Sequence, residues 1–348
     1  MIDRRAAGVA IAGLLGCVVG LFLAPRDAFA AWLVCWLAWG SIPIGALAGT
    51  MILALVPGSW RDLYDGPLAL ATALLPLTAV LALPLLAGIG WIYPWADPAV
   101  ASTLGGFKGE WLSVAAFVIR ELIILAALSG LAWGMAMTNR LPKSALAGGG
   151  LLIYALAASI IGIDFGESTE PHFHSSIYGL LALTSQWLAA ASFGILLGLA
   201  GKDRAPFAAA GLLATTILLW AYMHAMQYIV IWSANIPEEA HWYIERGGAW
   251  RGVGWAGFAL QAILPFIALL SPAVRNSSGW MRAVSALILV AAPLQQAWMI
   301  LPGLKQVGWA ALPLILASSM VMLGLGWAAA GALSGRLAIH RRFGLTAQ

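Results

Sequence analysis

The chain has 348 residues, of which 62% are hydrophobic and only 9% are charged, with a net charge of +4 and a mean hydropathy of +0.90. Soluble domains carry about 25% charged residues, so the composition excludes a water-soluble globular protein. The small positive charge gives no reason to expect a nucleic-acid partner. The sequence therefore predicts a protein embedded in a lipid bilayer.

Repeated apolar runs of about 20 residues, the length of helix that crosses about 30 Å of hydrocarbon, predict ten membrane-spanning helices. The runs lack the alternating pattern of barrel strands, so the predicted fold class is all-α and polytopic. In chain order the predicted spans are 7–24, 29–56, 67–90, 111–137, 144–163, 175–200, 206–232, 252–272, 280–301 and 308–333.

The distribution of basic residues predicts the orientation in the membrane. With ten spans both termini lie on one side, and that side receives 12 of the 18 lysine and arginine residues, against five on the other. Because cytoplasmic loops are enriched in these residues, we expect both termini in the cytoplasm. The loops 164–174 and 233–251 then form an acidic outer face.

The fourth span carries two adjacent charged residues, Arg120 and Glu121, near its middle. A charge at that depth costs about 2.5–3.5 kcal/mol on insertion scales. Neighbouring residues point about 100° apart on a helix, so at least one of the two should face another helix or a water-filled cavity. One interpretation is an ion pair that packs helices together, and the other is a transport or ligand role.

The seventh span carries Trp220, His224, Gln227 and Tyr228 at spacings i, i+4, i+7 and i+8, which predicts one continuous polar and aromatic stripe. Such a stripe suits a proton relay, because histidine titrates near neutral pH. It equally suits the edge of a quinone headgroup, and we regard Trp220 and His224 as candidates for quinone proximity. The competing interpretation is hydrogen bonding between helices, worth about 0.6 kcal/mol per bond.

The loop after the fifth span begins with Asp164 and continues to Glu170, His172 and His174. Asp164 is a candidate for a proton path. Two histidines without a fixed carboxylate geometry are a weak metal signal, and we expect no metal site. Glu170 and His172 are candidates for docking a partner protein, and a simple solvated loop is the alternative.

The second acidic loop starts NIPEEAHWYIER, from Asn235 to Arg246. Proline and glutamate favour the first turn of a helix, and Trp242 with Tyr243 suits the membrane interface, so we predict a short interfacial helix. Glu238 and Glu239 are candidates for collecting or releasing protons and, with His241, for docking a partner. The alternative is a well-capped helix with solvated carboxylates.

Two segments together resemble a known family. The run GLLIYALAASIIGIDFGESTEPHFHSSIYG ends at Gly179, and WAYMHAMQYIVIWSANIPEEAHWYIERGGAW, from Trp220 onward, is followed by LPFIALLSP. Both are similar to segments of the second, smaller NrfD-like membrane subunit of alternative complex III, across about residues 111–301. Arg120 matches that family's single arginine in the fourth span. One departure is Gln261, where the family often has histidine.

The resemblance implies a single membrane domain with two four-helix bundles, at 29–163 and 175–301, and peripheral helices at 7–24 and 308–333. It implies a bacterial inner membrane and a respiratory complex that oxidises quinol. The implied partners are a paralogous NrfD-like subunit, a molybdopterin-like subunit with iron–sulfur clusters, cytochrome c subunits with haem c, and a terminal oxidase. No cofactor is expected on this chain itself beyond contact with quinone or quinol.

Three functional hypotheses remain open from the sequence. The first is an accessory subunit that combines a scaffold with a proton path, in which Arg120, Glu121, His224 and Gln227 share one interior space. The second is a purely structural anchor whose acidic loops dock peripheral subunits. The third is an independent secondary transporter, although no pair of glycine- or proline-broken helices occupies corresponding positions in two repeats.

Overall fold

The computed structural model describes residues 4–56, 58–136 and 143–334, and this part of the chain is built from helices without a β-strand. The α-helices in these ranges are α1 Arg4–Leu23, α2 Pro25–Leu55, α3 Arg61–Ala73, α4 Leu75–Ala87, α5 Ile89–Ile92, α6 Pro98–Ala101, α7 Gly106–Trp111, α8 Val114–Ala136, α9 Lys143–Ile161, α10 Tyr178–Gly198, α11 Phe207–Ala234, α12 Pro237–Glu245, α13 Ala249–Phe258, α14 Leu264–Leu270, α15 Pro272–Asn276, α16 Ser278–Ile300 and α17 Ala311–Ser334. Two π-helical turns, Gly162–Gly166 and Ala259–Ile263, extend α9 and join α13 to α14.

Nine helical runs in the described ranges are long and apolar enough to cross a membrane, and a bent pair of helices raises the number to ten. The predicted all-α polytopic fold is therefore confirmed. The bent pair is α3 and α4, which meet at 41° within the predicted third span. Pro76, in the first turn of α4, lacks the N–H that would continue the backbone ladder, which explains the bend.

Helix α2 lies at the centre of the packing. It contacts α3, α4, α8 and α9 from the first half of the chain and α10, α16 and α17 from the second. At Gly45 a β-carbon would come within 2.1 Å of the backbone oxygen of Gln186, so only glycine lets the backbones of α2 and α10 touch. The segments 29–163 and 175–301 meet along this contact.

Helices α1 and α17 pack against each other and against α2. Small residues allow the close approach, since a β-carbon at Gly13 would lie 2.5 Å from the backbone oxygen of Ala317. The pair leaves large apolar side chains of both helices exposed, as expected for a surface that faces lipid.

One end of the helical bundle, here called the acidic end, carries an open cavity of about 590 Å³. Five separate parts of the chain form its wall, and four of the lining residues are carboxylates, namely Asp97, Glu170, Glu238 and Glu245. We call this space the outer cavity. The predicted interfacial helix is present there as α12, preceded by Asn235 in the left-handed conformation with φ 50°.

Candidate functional site

A buried ion pair joins α8 to the π-turn after α9. Arg120 Nε donates to Asp164 Oδ2 at 2.5 Å, and the indole of Trp111 donates to the other carboxylate oxygen at 2.9 Å. The guanidinium carbon lies 3.9 Å above the Trp111 ring, and Nη1 donates to the Trp111 carbonyl. The expectation that Arg120 faces another helix is thus met by Asp164, which is fully buried.

The π-turn Gly162–Gly166 places Asp164 at this position. The sequence predicted that the fifth span ends at residue 163, whereas the helical run continues to Thr169. A π-turn adds one residue to a helical turn and is frequent at functional sites. Gly162 and Gly166 face α10, where β-carbons would come within 2.3 Å of Ala182 and 2.8 Å of Tyr178 respectively.

Glu121 is fully buried beside Asp164, and a hydrogen bond joins the two carboxyl groups when one of them carries a proton. Neither oxygen of Glu121 has another hydrogen-bond partner among the described residues. One guanidinium group therefore faces two carboxyl groups in an apolar surrounding. The cluster is electrically balanced when one of the two carboxyl groups carries a proton. Arg120, Glu121 and Asp164 are referred to below as the buried cluster.

Opposite the buried cluster, across the π-turn, lies a second polar site. It is an enclosed space of about 30 Å³, here called the inner cavity. Its polar lining comes from α2, α10, α11 and α16, namely Ser41, Tyr178, Ser185, Gln186, His224, Gln295 and Gln296. An adjoining space of about 10 Å³ shares three of these residues and adds Gln261.

The inner cavity has the size of a water site. A water molecule needs about 10–15 Å³ of such volume, whereas ordinary ligand pockets measure about 300–1,000 Å³. The side-chain oxygens of Gln261 and Gln295 are buried without a hydrogen-bond partner among the described residues, which suits bound water. The space beside Trp220 and His224 is thus far smaller than a quinone ring requires.

The predicted stripe on α11 is present in part. Trp220 is buried and donates to Ser185 at 3.1 Å, His224 lines the inner cavity, and Gln227 accepts from Ser175 at 3.3 Å. Tyr228 instead is 50% exposed and turns away from the cavity. Eight residues along a helix give a rotation of about 80° from the starting position, which explains why Tyr228 leaves the stripe.

The structure does not bring all four expected residues into one space. Arg120 and Glu121 lie on one side of the π-turn, while His224 lines the inner cavity on the other. Gly162 and Gly166 border the inner cavity, and Asp164 between them faces Arg120. At this point of the described structure, the π-turn therefore lies between the buried cluster and the inner cavity.

The two acidic loops are joined by Arg246, the last residue of the segment that the sequence predicted to be an interfacial helix. Its side chain is 1% exposed, and Nη2 donates to Glu170 at 2.6 Å and to the Met299 carbonyl at 2.5 Å. The guanidinium carbon lies 3.4 Å above the Trp242 ring. Burial raises the pKa of Glu170, and the charge of Arg246 opposes that rise. The carboxylate of Glu170 is thus engaged within the chain rather than free for a partner.

The other candidate residues of the loops lie nearer the solvent. His172 and Glu238 are exposed and line the outer cavity, and Glu239 is partly exposed. His241 contacts Glu245 at 2.9 Å, and Lys305 contacts the same carboxylate at 3.4 Å. Within the described ranges, no three histidine, cysteine or acidic side chains are grouped as a metal site would require.

Sequence reasoning missed the residues that give the inner cavity its polarity. The adjacent glutamines Gln295 and Gln296 interrupt an apolar span, which is a signal of the same kind as Arg120 and Glu121. The sequence also contained a sign that Arg246 packs on Trp242, since the two residues are four apart and such pairs share a helix face. Comparison with protein-family models gives no match, and comparison with curated proteins gives no relative.

Proposed function

We propose that the chain is an integral membrane subunit of a quinol-oxidising respiratory complex of the alternative complex III kind, where it acts as a scaffold and carries part of a proton path. The observation that carries the proton path is the buried cluster, in which two carboxyl groups face one guanidinium group. Ionisable groups inside membrane-spanning helices typically mark proton relays. In this proposal the cluster takes up and releases the one proton that balances its charge.

The inner cavity supplies a route away from the cluster. Water there would connect the π-turn to His224, and Gln227 continues the route through Ser175 toward the acidic end. Ser175 in turn donates its backbone N–H to Glu167 at 2.9 Å. Glu238 and Glu239 are the proposed surface groups of this route. The acidic end is extracytoplasmic in this proposal, and both termini are cytoplasmic in a bacterial inner membrane.

The first experiment is purification from the native membrane in mild detergent, with identification of the accompanying proteins and a reduced-minus-oxidised spectrum. The proposal expects c-type haem and an iron–sulfur subunit to accompany the chain, together with a paralogous membrane subunit. A colourless protein that is purified alone and remains folded would contradict the proposal.

A purely structural role is the second candidate, and the interlocked loops favour it. Arg246 and Glu170 tie both acidic loops into one surface, which is the property that a docking platform needs. In that case Glu238→Gln with Glu239→Gln should release the partner proteins while leaving proton movement unchanged. The proton-path proposal expects the same variant to slow proton release from a complex that stays assembled.

An independent transporter is the third candidate, because π-turns interrupt two spans. The inner cavity and the space beside it, at about 30 and about 10 Å³, have the size of water sites and are too small for an organic solute. Uptake of a solute by liposomes that contain only this chain would favour the transporter over a subunit role.

A further inference from the structure

The inner and outer cavities approach each other at one place, and the ion pair of Glu170 and Arg246 lies there. Glu170 forms part of the wall of the outer cavity. Arg246 lies behind it and donates to the carbonyl of Met299, a residue that lines the inner cavity. The Arg246 side chain thus links the walls of the two cavities. A second, uncharged link is the hydrogen bond of 2.7 Å that Thr169, in the wall of the outer cavity, donates to the carbonyl of Gly166 in the wall of the inner cavity.

Aromatic side chains lie beside the ion pair in this partition. Phe173 lines the outer cavity and stacks on Trp242 at 5.2 Å between ring centroids. It also contacts Tyr178, which lines the inner cavity, at 6.4 Å. Because these rings and the Thr169 hydroxyl carry no charge, Glu170 and Arg246 are the charged pair of the partition. Arg246 Nε is buried there without a hydrogen-bond partner among the described residues.

We propose that Arg246 is an electrostatic gate, whose fixed positive charge keeps cations from crossing the partition at this point and leaves the route through Gln227 and Ser175 as the connection to the inner cavity, and that Glu170 holds Arg246 in position. A positive charge at a narrow, poorly hydrated point of a path raises the energy of a second cation strongly. The identification of that cation as a proton rests on the proposed function. The barrier itself depends only on the two cavities and the charge between them.

The test measures how fast a small cation reaches the inner cavity. Ser185, which lines that cavity, is replaced by cysteine in the full-length chain, after the two natural cysteines have been changed by Cys17→Ser and Cys35→Ser. The purified protein in detergent is exposed to Ag⁺, which is small and reacts with thiols. The rate at which the new thiol is lost measures how fast Ag⁺ reaches the inner cavity. Any route for Ag⁺ from the opposite end of the bundle contributes equally to every variant.

The gate predicts different rates of the silver reaction for substitutions of Arg246 and of Glu170. Arg246→Met removes the positive charge and should accelerate the silver reaction at least about tenfold. Glu170→Gln leaves Arg246 without its counter-charge and should give a rate no faster than that of the parent. The double variant, which has neither charge, should resemble Arg246→Met.

Two results would overturn the proposal. Equal acceleration by both single variants would show that the ion pair only holds the two acidic loops together. Equal rates in all variants would show that Ag⁺ does not pass between the cavities at this pair. His172→Cys in the outer cavity is the control site and should react at one rate throughout. Helix content and a monodisperse elution profile establish folding, and the uncharged double variant keeps the test valid if Arg246→Met alone is unstable. Because the readout uses no partner protein, its outcome is separate from that of the purification experiment.

Discussion

Glu121 and Asp164 illustrate how differently two buried carboxyl groups can be held. Asp164 accepts one hydrogen bond from Arg120 and one from Trp111, so each of its two carboxylate oxygens has a donor. Glu121 is equally buried, but its hydrogen-bond partner in the described structure is Asp164 itself, and that bond needs a proton on one of the two carboxyl groups. Burying a carboxyl group with so few partners costs free energy, and a group retained at such a cost is a candidate for function. We therefore assign the anchoring role to Asp164 and the proton-exchanging role to Glu121.

Replacing Glu121 by leucine should separate stability from function. The substitution replaces a buried carboxyl group, whose hydrogen-bond partner is another acid, by an apolar group of similar volume, so the free energy of unfolding should rise by about 1–3 kcal/mol. Proton movement driven by quinol oxidation should fall sharply in the assembled complex. Thermal unfolding and acidification of vesicles provide the two measurements. A variant with full proton movement would remove Glu121 from the path.

His224→Phe should slow quinol-dependent turnover without loss of assembly. The phenyl ring retains the contacts with Trp220 and Phe258 but cannot exchange a proton with water in the inner cavity. Tyr228→Phe is the matched control, because Tyr228 lies on the same helix with half of its surface exposed and should have no effect. The measurement is the steady-state rate of quinol-dependent turnover in both variants. Equal rates would contradict a role of His224 in the proton path.

At the scale of elements, the π-turn Gly162–Gly166 is the feature on which both sites depend. Gly166→Ala should push against the Tyr178 ring, 2.8 Å from the new β-carbon, and lower the free energy of unfolding by about 1–3 kcal/mol. Gly148→Ala is the control, because a β-carbon at that helical position would meet no atom within 4 Å apart from the nearby backbone of its own helix. Without strain, alanine in a helix should stabilise by about 0.5–1 kcal/mol. Chemical denaturation of both variants gives the comparison.

The interfacial helix shows what local sequence could predict. Pro237 followed by Glu238 and Glu239 is a local signal for a helix start, and α12 begins there. The buried position of Arg246 could not be predicted in the same way, since Glu170 and Met299 lie 76 and 53 residues away. The same holds for Arg120, whose need for a partner was evident but whose partner lies 44 residues further along. Local patterns fix elements, whereas long-range pairs depend on how those elements pack.

At the scale of the whole molecule, the apolar runs predicted ten spans, because each must cross the same thickness of hydrocarbon. The described residues contain nine such helical runs, and ten if the bent pair counts as one span. The bend of 41° within the third span was not predicted. Its proline was visible in the sequence, but other helices, such as α2 with Pro43 inside it, continue through a proline. Neighbouring packing decides between these outcomes.

The orientation can be tested with single cysteines in the background that lacks the natural ones. His172→Cys at the acidic end should react with a membrane-impermeant maleimide added to intact cells, and Lys202→Cys should react only after the membrane is opened. The expectation follows from the excess of lysine and arginine on the side of Lys202. Both native residues are exposed in the structure. The reverse labelling pattern would invert the topology.

The backbone contact at Gly45 constrains how this protein can work. A pump that opens alternately to the two sides of the membrane by rocking its halves needs a sliding layer of side chains between them. Here the carbonyl of Gln186 occupies the place where a β-carbon of residue 45 would otherwise be. The two halves are therefore in direct backbone contact at Gly45. We therefore expect any transfer across this fold to depend on local rotation of side chains and rearrangement of water.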